Sequence, residues 1–145
     1  MLCQVPSPSR ANTGFLLAKA SQRWNELLYE RFQQAGYPEV RPAYGSVLLP
    51  LWEEDGLRMG ELALRARLSK QTMTTLVRLM EREKLVRREP DAEDRRAARI
   101  WLTGRSQEFR KEAREVLDEL EDLLVAALGD DRPTLDDTLR KVMEL

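Results

Sequence analysis

The sequence predicts a mainly α fold with a small β-wing, an α+β arrangement in which long helices flank a helix-turn-helix. Apolar residues recur every three to four positions over most of the chain, which is the period of an amphipathic helix. The period changes in LVRRE and ARIWLT, two short β-like runs separated by the polar segment PDAEDRRA, so a two-stranded wing is expected there. At 145 residues and 42% hydrophobic content, the chain is expected to form one domain.

The N-terminal part of the sequence divides into an arm and a long helix. Residues 1–11 contain prolines and serines that build no periodic apolar face, and they predict a flexible arm. The domain is therefore expected to span residues 12–145. Either Asn12 or Thr13 can cap its first helix, which the periodicity extends to about Gly36.

Three further helices outside the middle segment are predicted from periodicity and from residues that start or stop helices. One runs from Pro42, a favourable first-turn residue, to Gly56, with Pro50 as a candidate kink. Another follows Thr103, which can cap it, and is broken at Gly129. The last begins near Pro133.

The segment GELALRARLSKQTMTTLVRLMEREK has the pattern of two short helices around a tight turn. Ser69 stands where the second helix requires its N-cap. Four apolar residues of that helix are expected to face inward: Met73, Leu76, Val77 and Met80. The opposite face is then polar, and it carries Lys70, Gln71, Thr72, Thr74, Thr75 and Arg78.

Charge is distributed unevenly, although the whole chain carries only −1. Residues Leu57–Thr103 contain twelve Lys or Arg and seven Asp or Glu, a net charge of +5, and the remainder carries −6. A basic middle with acidic flanks is typical of a protein that binds nucleic acid. A solvated surface of alternating charge is the alternative interpretation.

The residue inventory disfavours an enzyme and a metal or cofactor site. The chain has no histidine, a single cysteine and no glycine-rich phosphate loop, so no catalytic residues are assigned. Cys3 lies in the arm without an activating partner. The N-terminus lacks a targeting pattern and no apolar run approaches a membrane span, so a cytoplasmic protein is expected.

The motifs of Gly60–Thr103 resemble those of the MarR family of bacterial transcriptional regulators. E-L-A, S-x-x-T, L-V-x-R, D-x-x-D-R-R and L-T appear in that order with the family's gaps, and the order of helices extends the resemblance over most of the chain. Three places depart from it, one of them being Gly104-Arg105-Ser106 after Leu102-Thr103, where the start of the next helix is expected to shift. Lys84 replaces the glycine that commonly ends the recognition helix in a left-handed conformation, and Arg67 replaces a small turn residue.

The resemblance and the residue chemistry together predict double-stranded DNA as the partner. Ser69 and the polar helix face are expected in the major groove, where Gln bonds adenine and Arg bonds guanine or phosphate. Arg95 and Arg96 at the wing tip are expected in the minor groove, with Asp94 paired to Arg96 and Arg99 near a phosphate. The alternatives are an ordinary polar helix face and a solvent-exposed hairpin.

The resemblance also implies a homodimer, built by residues 12–35 and 104–145, that binds a palindromic operator and represses transcription. It implies release by a small aromatic or phenolic effector, for which four aromatic residues are candidates: Trp24, Tyr29, Tyr44 and Trp52. Aromatic residues at helical spacing are more often core residues. The alternative function is a winged-helix protein-interaction module that does not bind specific DNA.

Overall fold

The computed structural model describes residues 7–145, in which long helices flank a small sheet and a helix-turn-helix. In chain order, the elements are α1 (Thr13–Gln34), a 3-10 turn (Pro42–Tyr44), α2 (Gly45–Glu53), β1 (Leu57–Arg58), α3 (Met59–Arg65), α4 (Lys70–Arg82), β2 (Val86–Pro90), β3 (Ala98–Leu102), α5 (Gly104–Leu128), a second 3-10 turn (Gly129–Asp131) and α6 (Arg132–Met143). Cys3 lies outside the described residues.

Helix α1 begins and ends as its capping residues dictate. Of the two candidate caps, Asn12 is the one used: its side-chain oxygen accepts the N–H of Gly14 at 2.9 Å. At the other end, Gly36 adopts a positive φ of 89°. The following amide of Tyr37 returns to the carbonyl of Phe32, which closes the helix.

Helix α2 is shorter than the sequence predicts. Pro42 starts a 3-10 turn instead of the first α-helical turn, and α2 proper spans Gly45–Glu53. Pro50 lies inside the helix, and its carbonyl accepts the N–H of Glu54 at 2.9 Å. Glu54 is extended, with φ −147° and ψ 107°, so the chain leaves the helix before Gly56.

The sheet has three strands, and the predicted two-stranded wing is therefore incomplete. The order is β1-β3-β2, with both pairs antiparallel. The two residues of β1 pair Leu57 with Ile100 and Arg58 with Arg99. A two-residue strand has no measurable period, and it exists only because β3 supplies hydrogen-bonding partners.

Both helices of the helix-turn-helix end on a residue in the left-handed conformation that is not glycine. Arg67 has φ 53° and Lys84 has φ 58°. The amide of Leu68 returns to the carbonyl of Ala63 at 3.0 Å, and the amide of Leu85 returns to the carbonyl of Met80 at 2.9 Å. Both helices therefore end in a Schellman motif. Arg67 and Lys84 adopt the left-handed conformation that this motif requires, although each carries a Cβ atom.

Replacing Lys84 by glycine is expected to raise the free energy of unfolding by about 0.5 to 1 kcal/mol, because glycine relieves the left-handed strain but costs more chain entropy. Denaturant unfolding monitored by circular dichroism measures the change. The matched control is Arg82→Gly, at the last residue of α4 and with helical backbone angles, which is expected to lower the same free energy by up to about 1 kcal/mol. A Lys84→Gly variant no more stable than the wild type would contradict the strain assignment.

The core forms where α1, α2, α4, the sheet and the first half of α5 meet. The rings of Phe32 and Tyr37 each lie with their centroids 4.9 Å from that of Phe109 on α5. Arg105 ties the start of α5 to the segment after α1, because it donates to Glu39 at 2.6 Å and to the carbonyl of Gly36 at 2.7 Å. Within residues 7–145, no helix is long and apolar enough to span a membrane.

Candidate nucleic-acid interface

Helix α4 presents the polar face that its sequence predicts. Met73, Val77 and Met80 are fully buried, whereas the outward residues, including Lys70, Gln71, Thr75 and Arg78, are exposed and Thr74 is half-buried. Ser69 caps the helix as predicted, since its hydroxyl oxygen accepts the N–H of Thr72 at 3.1 Å. Burial of one face therefore orients the other toward solvent.

Two threonine hydroxyls of this face are held by their own helix. Thr74 donates to the carbonyl of Lys70 at 2.8 Å, and Thr75 donates to the carbonyl of Gln71 at 3.0 Å. Each hydroxyl proton is thus used internally, while the oxygen lone pairs and the methyl group remain available. A threonine in this state accepts a hydrogen bond or contacts a thymine methyl group.

An open groove of about 620 Å³ separates α4 from the wing. Four of its lining residues are basic: Arg58, Lys70, Arg88 and Arg96. Arg88 is partly neutralised, because it donates to Glu81 at 2.7 Å. Arg87 pairs with Glu89, and its guanidinium lies 5.6 Å from the ring centroid of Trp101. Two acidic residues, Glu61 and Asp94, also line the groove, so its basic side chains exceed its acidic ones by two. Its exposed cations without an ion pair within residues 7–145 are Lys70 of α4 and Arg96 of the wing tip.

The wing tip is organised differently from the prediction. Arg95 and Arg96 are exposed, and neither forms an ion pair within residues 7–145. Asp94 accepts the backbone N–H of Arg96 at 3.0 Å, so the expected pairing of their side chains is wrong. A short aspartate side chain reaches the backbone two residues on more easily than it reaches a guanidinium, and it closes a turn there.

A buried carboxylate, which the sequence did not single out, holds the base of the wing. Asp91 is 1% exposed; its Oδ2 accepts a hydrogen bond from Nε of Arg58 at 2.8 Å and forms an ion pair with Nε of Arg99, also at 2.8 Å. We call these three residues the Asp91 cluster. Arg99 donates to the carbonyl of Gly56 at 2.8 Å, so two of its nitrogens are engaged inside the protein. Arg99 thus lies at the base of the wing, set back from its tip.

The hydrogen bonds and neighbouring charges in the Asp91 cluster keep the Asp91 carboxyl ionised. The hydrogen bond from Arg58 holds the pKa of the Asp91 carboxyl far below its ordinary value of 3.8, with help from the backbone N–H groups of Glu93 and Asp94. The same contact raises the pKa of Arg58. Because the folded-state pKa of Asp91 is lowered, its contribution to stability is complete above about pH 4 and is lost only in stronger acid.

The four aromatic candidates for an effector site do not share one pocket. Trp24 and Trp52 line a cavity of about 190 Å³ between α1, α2 and α5. Tyr29 instead faces an open depression beside Arg41, on the other side of the chain segment that leads into α2. Tyr44 is 1% exposed within the core, and burial raises the pKa of its hydroxyl. The cavity also contains Phe109, which helical spacing alone did not distinguish from other core residues.

No group of three metal-binding side chains occurs within residues 7–145. The geometry instead defines a class of protein. A helix-turn-helix whose second helix exposes a polar face, followed by a basic β-wing over a cationic groove, is a winged helix-turn-helix.

Comparison with known proteins narrows this class. Residues 42–97 match the MarR family. A segment of 59 residues is 42% identical to the HTH-type transcriptional regulator TtmR of Methylorubrum extorquens, strain PA1. That match covers 41% of this chain and 30% of the length of TtmR.

Solved structures share the fold over nearly the whole chain. The PcaV transcriptional regulator of Streptomyces coelicolor, in complex with its natural ligand, has a TM-score of 0.80 at 20% identity and covers 97% of this chain and 98% of its own. The MepR–DNA complex of S. aureus has a TM-score of 0.77 at 23% identity, with 92% and 96% covered. The family match is thus confined to residues 42–97, while the likeness to the solved structures shows that the fold extends over nearly the whole chain.

Proposed function

We propose that the protein is a sequence-specific regulator of transcription that binds double-stranded DNA as a homodimer on a palindromic operator. The observation that carries this proposal is the cationic groove between α4 and the wing, whose rim holds exposed Lys70 and Arg96. Such a groove accommodates a phosphate backbone, while the elements on either side enter adjacent grooves of the duplex. MepR, which shares the fold, was solved with DNA, and this supports DNA as the partner.

Helix α4 is the proposed major-groove reader. Its N-terminal residues Lys70 and Gln71 project from a capped helix end, where the backbone dipole favours a nearby phosphate. Gln71 and Arg78 supply the side chains suited to base edges. Arg95 and Arg96 at the wing tip are the proposed minor-groove contacts, because a narrow minor groove attracts arginine.

The dimer is proposed from apolar side chains that the protomer leaves uncovered. Phe15 and Leu16 at the start of α1 are 42% and 54% exposed, and Leu123 on α5 is 50% exposed. Helix α6 has no buried residue, and Met143 is 66% exposed. Large apolar side chains left exposed on α1, α5 and α6 favour an interaction site on these helices. Residues 12–35 and 104–145 therefore serve both the protomer core and the proposed interface.

Repression with release by a small aromatic or phenolic effector is the proposed mode of control. The cavity beside Trp24 and Trp52 is lined mainly by apolar groups, with Arg41 at its rim, which suits an aromatic ring bearing a polar substituent. The indole N–H of Trp52 donates to the carbonyl of Ser106 at 3.3 Å, at the start of α5 and close to the wing. PcaV was solved with its natural ligand, which supports control by a bound ligand.

A binding titration tests the proposed function. Purified protein is titrated by fluorescence anisotropy with duplexes from the DNA flanking its own coding region, at several salt concentrations. A random duplex of equal length is the control. We expect tighter binding to one flanking site and an affinity that falls steeply with salt. Equal affinity for the random duplex would reject sequence-specific binding, and would favour the protein-interaction alternative.

Two substitutions are expected to have different signatures in that titration. Arg96→Ala removes a wing-tip cation, and it should weaken binding to all duplexes while lowering the salt dependence by about one charge. Gln71→Ala removes a base-reading group, and it should cost about 1 to 3 kcal/mol at the preferred site while leaving random-duplex affinity unchanged. The control is Lys111→Ala on the exposed face of α5, for which no change is expected.

A further inference from the structure

The Asp91 cluster joins parts of the molecule that the proposed function uses separately. Arg58 is the N-cap residue of α3, the first helix of the helix-turn-helix. Arg99 lies in β3, the strand that leads out of the wing. Asp91 directly follows β2 and begins the wing tip. One carboxylate therefore links the helix-turn-helix, the sheet and the tip that carries Arg96.

The two oxygens of Asp91 have different partners. Oδ1 accepts the backbone N–H groups of Glu93 at 2.8 Å and Asp94 at 3.1 Å, which shapes the turn of the tip. Oδ2 accepts a hydrogen bond from Nε of Arg58 and forms an ion pair with Nε of Arg99, each at 2.8 Å. The first set is local, whereas the second set joins the tip to the body of the DNA-binding region.

The sheet register shows why Oδ2 is needed. Arg58 and Arg99 are directly opposite each other in the antiparallel pair of β1 and β3. Like charges in that position repel each other and destabilise the pairing. A buried carboxylate between the two arginines attracts both and so offsets their mutual repulsion. The wing therefore packs against the helix-turn-helix in the position where Asp91 contacts both guanidinium groups.

We propose that the Asp91 cluster sets the position of the wing tip relative to α4, and so determines whether Arg96 reaches the minor groove while α4 occupies the major groove. Asp91 is a positioning residue: it is 1% exposed and acts on DNA only through the tip it holds. This inference rests on the proposed function, because its effect is on DNA binding.

A double-mutant cycle tests the proposal. Asp91→Asn keeps an oxygen for the local turn but places an amide N–H₂ group against the two arginines. Arg96→Ala should weaken operator binding about tenfold in the wild type, but less than about threefold in the Asp91→Asn background, since the tip is no longer positioned. Gln71→Ala should have the same effect in both backgrounds, because α4 is unchanged.

Glu93→Gln is the matched control for charge. It removes the same single negative charge from the wing, but Glu93 is exposed and its only ion-pair contact within residues 7–145 is 3.6 Å from Arg58. Its affinity for DNA should equal or slightly exceed that of the wild type, whereas Asp91→Asn should weaken binding about tenfold. An equal rise in DNA affinity in both variants would mean that Asp91 affects binding only through its charge, and would overturn the proposal.

NMR of the arginine Nε–H groups gives a readout that does not require DNA. A slowly exchanging signal from Arg58, whose Nε–H donates to Asp91, is expected in the wild type and should be lost in Asp91→Asn. If Asp91→Asn does not fold, Arg58→Gln is used instead, because it removes one partner of the Asp91 cluster. In the Arg58→Gln background, Arg96→Ala should again weaken operator binding less than it does in the wild type. An Arg96→Ala effect that is identical in every background overturns the inference. A wild-type protein that binds no duplex overturns instead the proposed function.

Discussion

Replacing Leu123 by aspartate is expected to dissociate the proposed homodimer and to weaken operator binding by about a hundredfold or more, because two linked half-sites bind far more tightly than one. Leu123 is 50% exposed on the second half of α5, beyond Leu120, the last buried residue of that helix. A charge placed there leaves the protomer core untouched. It costs free energy only when a second copy covers it.

Sedimentation equilibrium and the DNA titration measure the two parts of this prediction. Gln107→Asp is the control, since it adds the same charge to an exposed position at the other end of α5. It should leave the oligomeric state unchanged. Thermal unfolding of both variants shows whether the protomer remains folded. A Leu123→Asp protein that is still dimeric would place the interface elsewhere.

Replacing Gly56 by alanine is expected to lower the free energy of unfolding by about 2 to 4 kcal/mol, the sum of left-handed strain and overpacking. Gly56 has φ 71°, and a Cβ atom there would lie 2.5 Å from Cη2 of the Trp101 indole. The same residue accepts a hydrogen bond from Arg99 through its carbonyl. Movement at this position therefore disturbs both the sheet and the base of the wing.

Denaturant unfolding measures this effect, with Gly60→Ala as the matched control. Gly60 lies in α3, is exposed, and has no atom within 4 Å of an added Cβ. Alanine in this first turn of α3 should leave stability unchanged or raise it by up to about 1 kcal/mol, because alanine loses less chain entropy than glycine in a helix. If both variants were equally stable, the contact between Trp101 and Gly56 would not exclude a side chain at position 56, and the prediction would be wrong.

The features predicted correctly from the sequence depend on neighbouring residues. Ser69 caps α4 because its hydroxyl reaches an amide three residues away, and Thr103 caps α5 in the same way. The polar face of α4 follows from the spacing of Met73, Val77 and Met80. Such contacts lie within one helical turn, so a linear pattern contains the information needed.

The features that were missed depend on residues distant in the chain. Strand β1 forms because Leu57 meets Ile100, and the Asp91 cluster joins residues 33 positions apart. Tyr44 lies in the core while Trp52 borders a cavity, although both are aromatic residues near α2. Periodicity describes which face a residue occupies, not what the folded chain brings against that face.

The wing illustrates this division. Composition and turn residues between Leu85 and Thr103 were sufficient to predict a basic β-hairpin with Arg95 and Arg96 at its tip. The direction in which that tip points was decided only when folding brought Arg58 and Arg99 to the two sides of Asp91. Local propensity determines the hairpin, whereas its position depends on a buried charge whose partners are close only in the tertiary structure.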